Sequence, residues 1–183
     1  MEGLQTPTST GQQQELFGRR FVVVDLDGTL CDSSHREHLA IAKQWDDFHS
    51  LLSEDRPHQD VADLLEVLNS GILTTDLEVI LLTGRNERYR GQTEAWLLKH
   101  RIKNDHLLMR PDWDFTSDHV LKPQMLFQFV LHGQELPTGD QENFEALQDV
   151  KNKVWFILED RDKVVEAWRN LGFRCWQTQP GGY

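Results

Sequence analysis

The chain has 183 residues, 38% hydrophobic and 27% charged, with a net charge of −11. That size and balance fit one α/β domain with a true core, while the acidity excludes a broad basic face that grips long duplexes by backbone charge alone. Two cysteines give no disulfide framework, and no segment is apolar for long enough to cross a bilayer, so a cytoplasmic protein without a membrane partner is expected.

Residues 1–18 are rich in Gln, Thr, Ser and Gly and are predicted to be a disordered leader to a domain over 19–183. No Gly-Lys-Ser/Thr sequence occurs, which excludes a P-loop kinase half. Phe21 to Val24 form an apolar run that reads as a strand covered on both faces. It ends at Asp25-Leu26-Asp27-Gly28-Thr29-Leu30. The i, i+2 spacing puts both carboxylates on one side if the strand persists, where they repel unless a cation lies between them. Gly28 frees the backbone to turn.

A polar loop, Cys31 to Arg36, leads to Ile41, Trp45, Phe48 and Leu52 at helical spacing. Residues 31–58 read as a small insertion over the strand end, with Trp45 packed inward on its apolar stripe. Cys31 and Cys175 read as small buried hydrophobes. Asp60 is the expected N-cap of a helix bearing Val61, Leu64, Leu65 and Leu68. Glu78 to Thr83 is the second strand, leaving through Thr83-Gly84-Arg85. A helix over about 86–100 precedes a third strand, His106 to Arg110, and an acidic loop over 111–118. Trp113 in that loop is either a stacking platform for a base or an ordinary loop residue.

Lys122-Pro123 is expected to open the next helix, because proline suits a first turn. Residues 133–150 are polar and read as an exposed irregular excursion. Val154 to Leu158 is the fourth strand and ends at Glu159-Asp160-Arg161-Asp162; a helix with Val164, Val165, Trp168 and Leu171 and a strand near Phe173 to Gln177 complete the chain. Alternating strands and helices predict a three-layer, doubly wound parallel sheet. Such a sheet collects ligands at the carboxyl ends of its strands, where Asp25/Asp27, Thr83/Arg85 and Glu159/Asp160 would meet.

Asp25-Leu26-Asp27-Gly28-Thr29-Leu30 resembles the first motif of the haloacid-dehalogenase (HAD) superfamily of phosphotransferases. The resemblance implies a Rossmann-like fold with a minimal cap. It implies a nucleophile at Asp25 that forms an aspartyl-phosphate and an acid/base at Asp27. Magnesium would be held by Asp25, the Asp27 carbonyl and Asp160, with Glu159 reaching it through water or serving as a nearby acceptor. Thr83 and Gly84 would bind phosphoryl oxygens, and Lys122 would add positive charge to that group or to the nucleophile.

From about residue 20 onward the chain is also similar to the phosphatase domain of phage polynucleotide kinase–phosphatases, which removes 3′-phosphates from nucleic-acid ends. Glu159 to Arg169 and Cys175-Trp176-Gln177 carry this likeness, as do Arg36, Arg85 and Asp118. Glu159 stands where that family has Asp, and its kinase half is lacking, so joint 5′ and 3′ end healing is not expected. Arg36 and Arg85 either clamp phosphate or pair with nearby carboxylates; Asp118 orients Lys122 or Arg36, or is solvated. The expected activity is a magnesium-dependent 3′-phosphatase on nucleic-acid ends or nucleotides. The alternatives are a small-molecule or 5′-nucleotide phosphatase and a silent phosphate-binding module.

Overall fold

In the computed structural model, residues 19–72, 76–131 and 140–181 are described. The expected leader lies outside them. Strand β1 (Arg20–Val24) leads into an insertion formed by a short antiparallel pair, β2 (Cys31–Asp32) and β3 (Arg56–Pro57), and two short helices, α1 (Glu37–Ile41) and α2 (Trp45–Ser50). Then follow α3 (Gln59–Asn69), β4 (Leu77–Asn86), α4 (Arg90–Lys99), β5 (His106–Arg110) and α5 (Asp118–Val130). Helix α6 (Asp140–Lys153), β6 (Val154–Arg161), α7 (Asp162–Asn170) and β7 (Cys175–Gly181) close the fold.

The five long strands are parallel in the order β5-β4-β1-β6-β7. Winding proceeds from β1 to one edge and resumes on its other side, so β1 lies at the reversal point where ligands bind in such sheets. Strand alternation divides the core into two layers. Val23, Ile80, Leu82 and Ile157 pack with Leu126, Phe127, Val130, Val164 and Trp168 on one face. Val22, Val24, Leu81 and Leu158 pack with Val61, Leu65, Leu68, Trp96 and Leu97 on the other. This is the predicted three-layer α/β fold, and no helix among the described residues is long and apolar enough to cross a membrane.

Four local expectations are corrected. The single helical stripe across the insertion breaks at Lys43, whose φ is +59°. Phe48 and Leu52 turn inward, but Ile41 and Trp45 are 67% and 49% exposed, so Trp45 is not core. Helix α3 begins at Gln59 after His58, and Asp60 lies inside its first turn rather than capping it. Helix α5 begins at Asp118, after Ser117; Lys122 lies one turn in, and Pro123 is accepted inside the helix. Of the expected polar excursion, residues 140–150 are helical: a single narrow face, with Val150 fully buried and Leu147 against the core, suffices to dock α6. Residues 133–139 lie outside the described segments.

Candidate active site

β1 ends at Val24, and the next residues leave extended structure: Leu26 O accepts the N–H groups of Thr29, Leu30 and Cys31 at 3.2, 2.9 and 2.9 Å. The two aspartates therefore enter different networks instead of sharing one side of a strand.

Asp25 is buried beside the ends of β6 and α5. Lys122 Nζ donates to Asp25 Oδ1 at 2.7 Å and to Glu159 Oε2 at 2.6 Å. One carboxylate oxygen from each of Asp25, Glu159 and Asp160 lies within 4.8 Å of the others. Burial and then the Glu159 carboxylate raise Asp25 well above the usual carboxylate range, against the pull of Lys122. The same two causes push Asp160 up to about 6. Burial alone would lower Lys122, but Asp25 and Glu159 outweigh it and hold the ammonium charged. Thr29 Oγ1 donates to Asp160 Oδ1 at 3.2 Å. Gly28 has φ +88°, and a Cβ there would collide with the Asp160 carboxylate, so glycine is required twice over. Three buried carboxylates face the Lys122 ammonium and the Arg161 guanidinium, which lies 4.0 Å from Glu159 and is shared with Asp118; their clustered oxygens are a donor set suited to a hard divalent cation.

Asp27 belongs to a second network. It accepts from Arg85 Nε at 2.8 Å, from Arg85 Nη2 at 2.7 Å, and from Arg36 Nη2. Asp55, fully buried, accepts from Arg36 Nε at 2.7 Å and from Arg85 Nη2 at 3.0 Å. The Arg36 guanidinium also lies 3.9 Å from the Phe48 ring centre. Burial pushes Asp27 up, but Arg85 and then Arg36 overcome it and hold the carboxyl far below its ordinary range. Burial raises the thiol of Cys31 and takes Cys175 up to about 12, so both stay protonated hydrophobes.

The remaining expected residues gather at the same strand ends, with different partners from those anticipated. Arg36 is completely buried behind Asp27, and its guanidinium donates to Asp27, to Asp55 and to the Phe48 carbonyl. Arg85 shares those two carboxylates, yet its Nη1 is buried without a hydrogen-bond partner among the described residues. Thr83 is buried and its Oγ1 accepts the Arg85 N–H at 3.2 Å. Gly84 packs so closely on Asp118 that a Cβ would lie 2.6 Å from Oδ2. Asp118 pairs with Arg110 and Arg161, not with Lys122 or Arg36.

Three site residues escaped the sequence reading. Arg110 ends the third strand, an exit that the comparison of strand ends left out, and Arg161 directly follows Glu159-Asp160. Asp55 carries no local signal, because its side-chain partners Arg36, His35 and Arg85 lie 19, 20 and 30 residues away. A cavity of about 700 Å³ opens over Asp25 and Asp27, lined by the insertion and by residues 112–119 among others.

The sequence matches the family model described as the polynucleotide kinase PNKP phosphatase domain over residues 19–135 and 141–183. The fold is similar to a chain in the solved Pnkp1/Rnl/Hen1 complex (TM-score 0.66, 28% identity, 91% of this chain and 48% of that one). It is likewise similar to one in the Pnkp1/Rnl/Hen1 RNA repair complex (TM-score 0.66, 30% identity, 90% and 44%). The chain thus spans about half the length of those relatives or less. A putative phosphatase from Clostridium difficile shares the fold at 13% identity (TM-score 0.56, 87% and 84%). A comparison with curated proteins finds no match.

Proposed function

Because the chain belongs to the PNKP phosphatase-domain family, and so is a phosphatase of the HAD type, we propose that it is a magnesium-dependent phosphomonoesterase that clears 3′-phosphates from nucleic-acid ends or nucleotides. The observation that carries this reading is the buried Asp25–Lys122 pair, 2.7 Å apart, within a triad of carboxylates on the β1 reversal point. The RNA repair complex of the similar chain favours a nucleic-acid end as substrate over an unrelated small phosphate ester.

Asp25 attacks phosphorus; the new O–P bond forms as the ester O–P bond breaks, leaving an aspartyl-phosphate that water then cleaves. Lys122 favours the ionised form of Asp25 against burial and the Glu159 charge, and offsets charge beside it. When bound to Asp25, Asp160 and the Asp27 carbonyl, directly or through water to Glu159, magnesium offsets the repulsion between an anionic nucleophile and an anionic phosphate. Thr83 and Gly84 face the phosphoryl oxygens in this scheme. Arg85 supports Asp27 and offers its spare Nη1; Arg36 acts from behind Asp27. Asp118 holds Arg110 and Arg161 at the cavity wall.

Asp27 handles the proton. Its depressed carboxyl suits the acceptor half, taking a proton from the hydrolytic water. Donation to the leaving oxygen is opposed by the two guanidiniums. A bound phosphoryl dianion adds negative charge beside them and moves Asp27 back toward protonation.

Metal binding has a pH signature. A carboxyl whose folded pKa is raised takes up protons on folding, so stability falls as pH climbs from the unfolded value of about 3.9 to the folded one. For Asp160 that window closes near 6, and Asp25 shifts in the same direction. Magnesium is therefore expected to raise the thermal midpoint at pH 7.5, by roughly 2–4 °C per kcal/mol of binding, and to do little at pH 5. Differential scanning fluorimetry checks this; an equal shift at both pH values counts against the carboxylate triad as the site.

The substrate assignment is tested by phosphate release from a 3′-phosphorylated oligonucleotide, a 3′-mononucleotide and a 5′-mononucleotide at equal concentration. The oligonucleotide is expected to be fastest. Predominant release from the 5′-nucleotide overturns the choice, and equal rates on both 3′ substrates mean that the polymer is not recognised.

A further inference from the structure

The cavity over Asp25 departs from the rest of the surface in two ways. Of the ten large hydrophobics exposed among the described residues, four line this one space: Ile41, Trp45, Trp113 and Phe115. A clustered apolar surface of this kind marks a binding site, whereas scattered exposed hydrophobics do not. The charge balance also inverts. Six Lys or Arg side chains line the cavity against five Asp, in a chain with 19 basic and 30 acidic residues.

The aromatic residues come from two separate segments of the lining. Trp45 belongs to the insertion and touches Phe48 edge-on, with ring centres 6.0 Å apart, which leaves its indole about half exposed. Trp113 lies in the acidic loop, 79% exposed, and its side chain has no ring or hydrogen-bond partner among the described residues. Its backbone sits at φ +67°, a left-handed conformation that a bulky residue rarely adopts. Phe115, two residues on, is 88% exposed. Holding large rings in water in a strained loop costs free energy and contributes nothing to the core. Lys43, beside Trp45, and Lys163, at the start of α7, also line the cavity and have no ion-pair partner among the described residues.

Aromatic rings from two lining segments, cations without an ion-pair partner among the described residues and a phosphate centre in the same cavity match one ligand chemistry. We propose that the cavity between the insertion and residues 112–119 is a subsite for the unpaired 3′-terminal nucleobase of a single-stranded nucleic-acid end, bound by stacking on Trp113 and Trp45, with Lys43 and Lys163 meeting the neighbouring backbone phosphates. This rests on the phosphatase reading above and narrows its substrate. Stacking tolerates any base, because each has a π-face, so the subsite confers end recognition without sequence preference. A base held within a duplex presents only its edge and so offers no π-face to these rings.

The test compares kcat/KM for a 3′-phosphorylated oligonucleotide ending in a normal nucleotide with that for the same oligonucleotide ending in a base-less tetrahydrofuran unit. A third substrate presents the normal end in a blunt duplex. The base-bearing single strand is expected to be preferred over both by about 10-fold, mainly through KM. Trp113→Ala should bring that preference close to one, and Trp113→Phe, which retains a π-face, should keep most of it. Equal kcat/KM on the base-bearing and base-less ends, equal use of the blunt duplex, or an unchanged preference in Trp113→Ala overturns the subsite. Absence of phosphate release from all three substrates overturns the phosphatase reading instead.

Discussion

Asp25→Asn is expected to lose phosphate release by about 10⁴-fold or more, and the same variant should unfold at a higher temperature than the parent protein in metal-free buffer at pH 7.5. The loss follows from removing the atom that attacks phosphorus, since an amide oxygen is too weak a nucleophile. The gain follows from the local charge. Asp25 is buried with Glu159 and Asp160 beside it, and burial and the Glu159 charge both oppose its ionised form. Lys122 keeps its 2.6 Å contact with Glu159 when Asp25 becomes neutral, so the ammonium is not orphaned. Activity and stability then move in opposite directions, as they do where a site stores repulsion for its chemistry. The thermal gain should shrink as pH falls through the raised pKa of the parent Asp25, where its own carboxyl becomes neutral. Thermal scans over a range of pH with and without magnesium check this; a variant less stable than the parent at pH 7.5 would mean that the Asp25–Lys122 attraction outweighs the repulsion.

Asp55→Asn should destabilise the protein by roughly 3–5 kcal/mol, which at this size corresponds to a drop of about 10 °C in thermal midpoint. Two guanidiniums, Arg36 and Arg85, are fully buried between two carboxylates, Asp27 and Asp55. Replacing Asp55 by its amide keeps the shape but leaves one uncompensated buried positive charge. Amide N–H groups would also face donors that previously met carboxylate oxygens. Urea unfolding measures the effect through the midpoint. Pairing the change with Arg36→Met should recover part of the loss, because a missing charge pair is less harmful than a broken one. A loss below about 1 kcal/mol would indicate that water reaches the quartet and screens it. Acid acts on the same group from the other partner: Asp27 is depressed, so the stability it supplies is present above the unfolded value near 3.9 and fades as pH falls below it.

The sequence by itself determined the parallel sheet, the succession of its long strands with all but one of the helices between them, and the convergence of Asp25, Glu159, Asp160 and Lys122. Apolar runs that stop at polar residues report both burial and the edge at which it ends, and parallel winding forces those edges together. Periodicity was less informative where few residues bear on the core: α6 docks through a narrow face in a polar segment, and the stripe through Ile41 and Trp45 was interrupted by a left-handed turn at Lys43. Only the tertiary structure decided which charges pair. Arg36 and Arg85, left between a phosphate clamp and carboxylate pairing, both pair with Asp27 and Asp55, and Asp118 takes Arg110 and Arg161 instead of Lys122. A long cation can reach any of several carboxylates, and which one it meets depends on how separate segments fold back over the strand ends. Spacing along the chain carries no record of that choice.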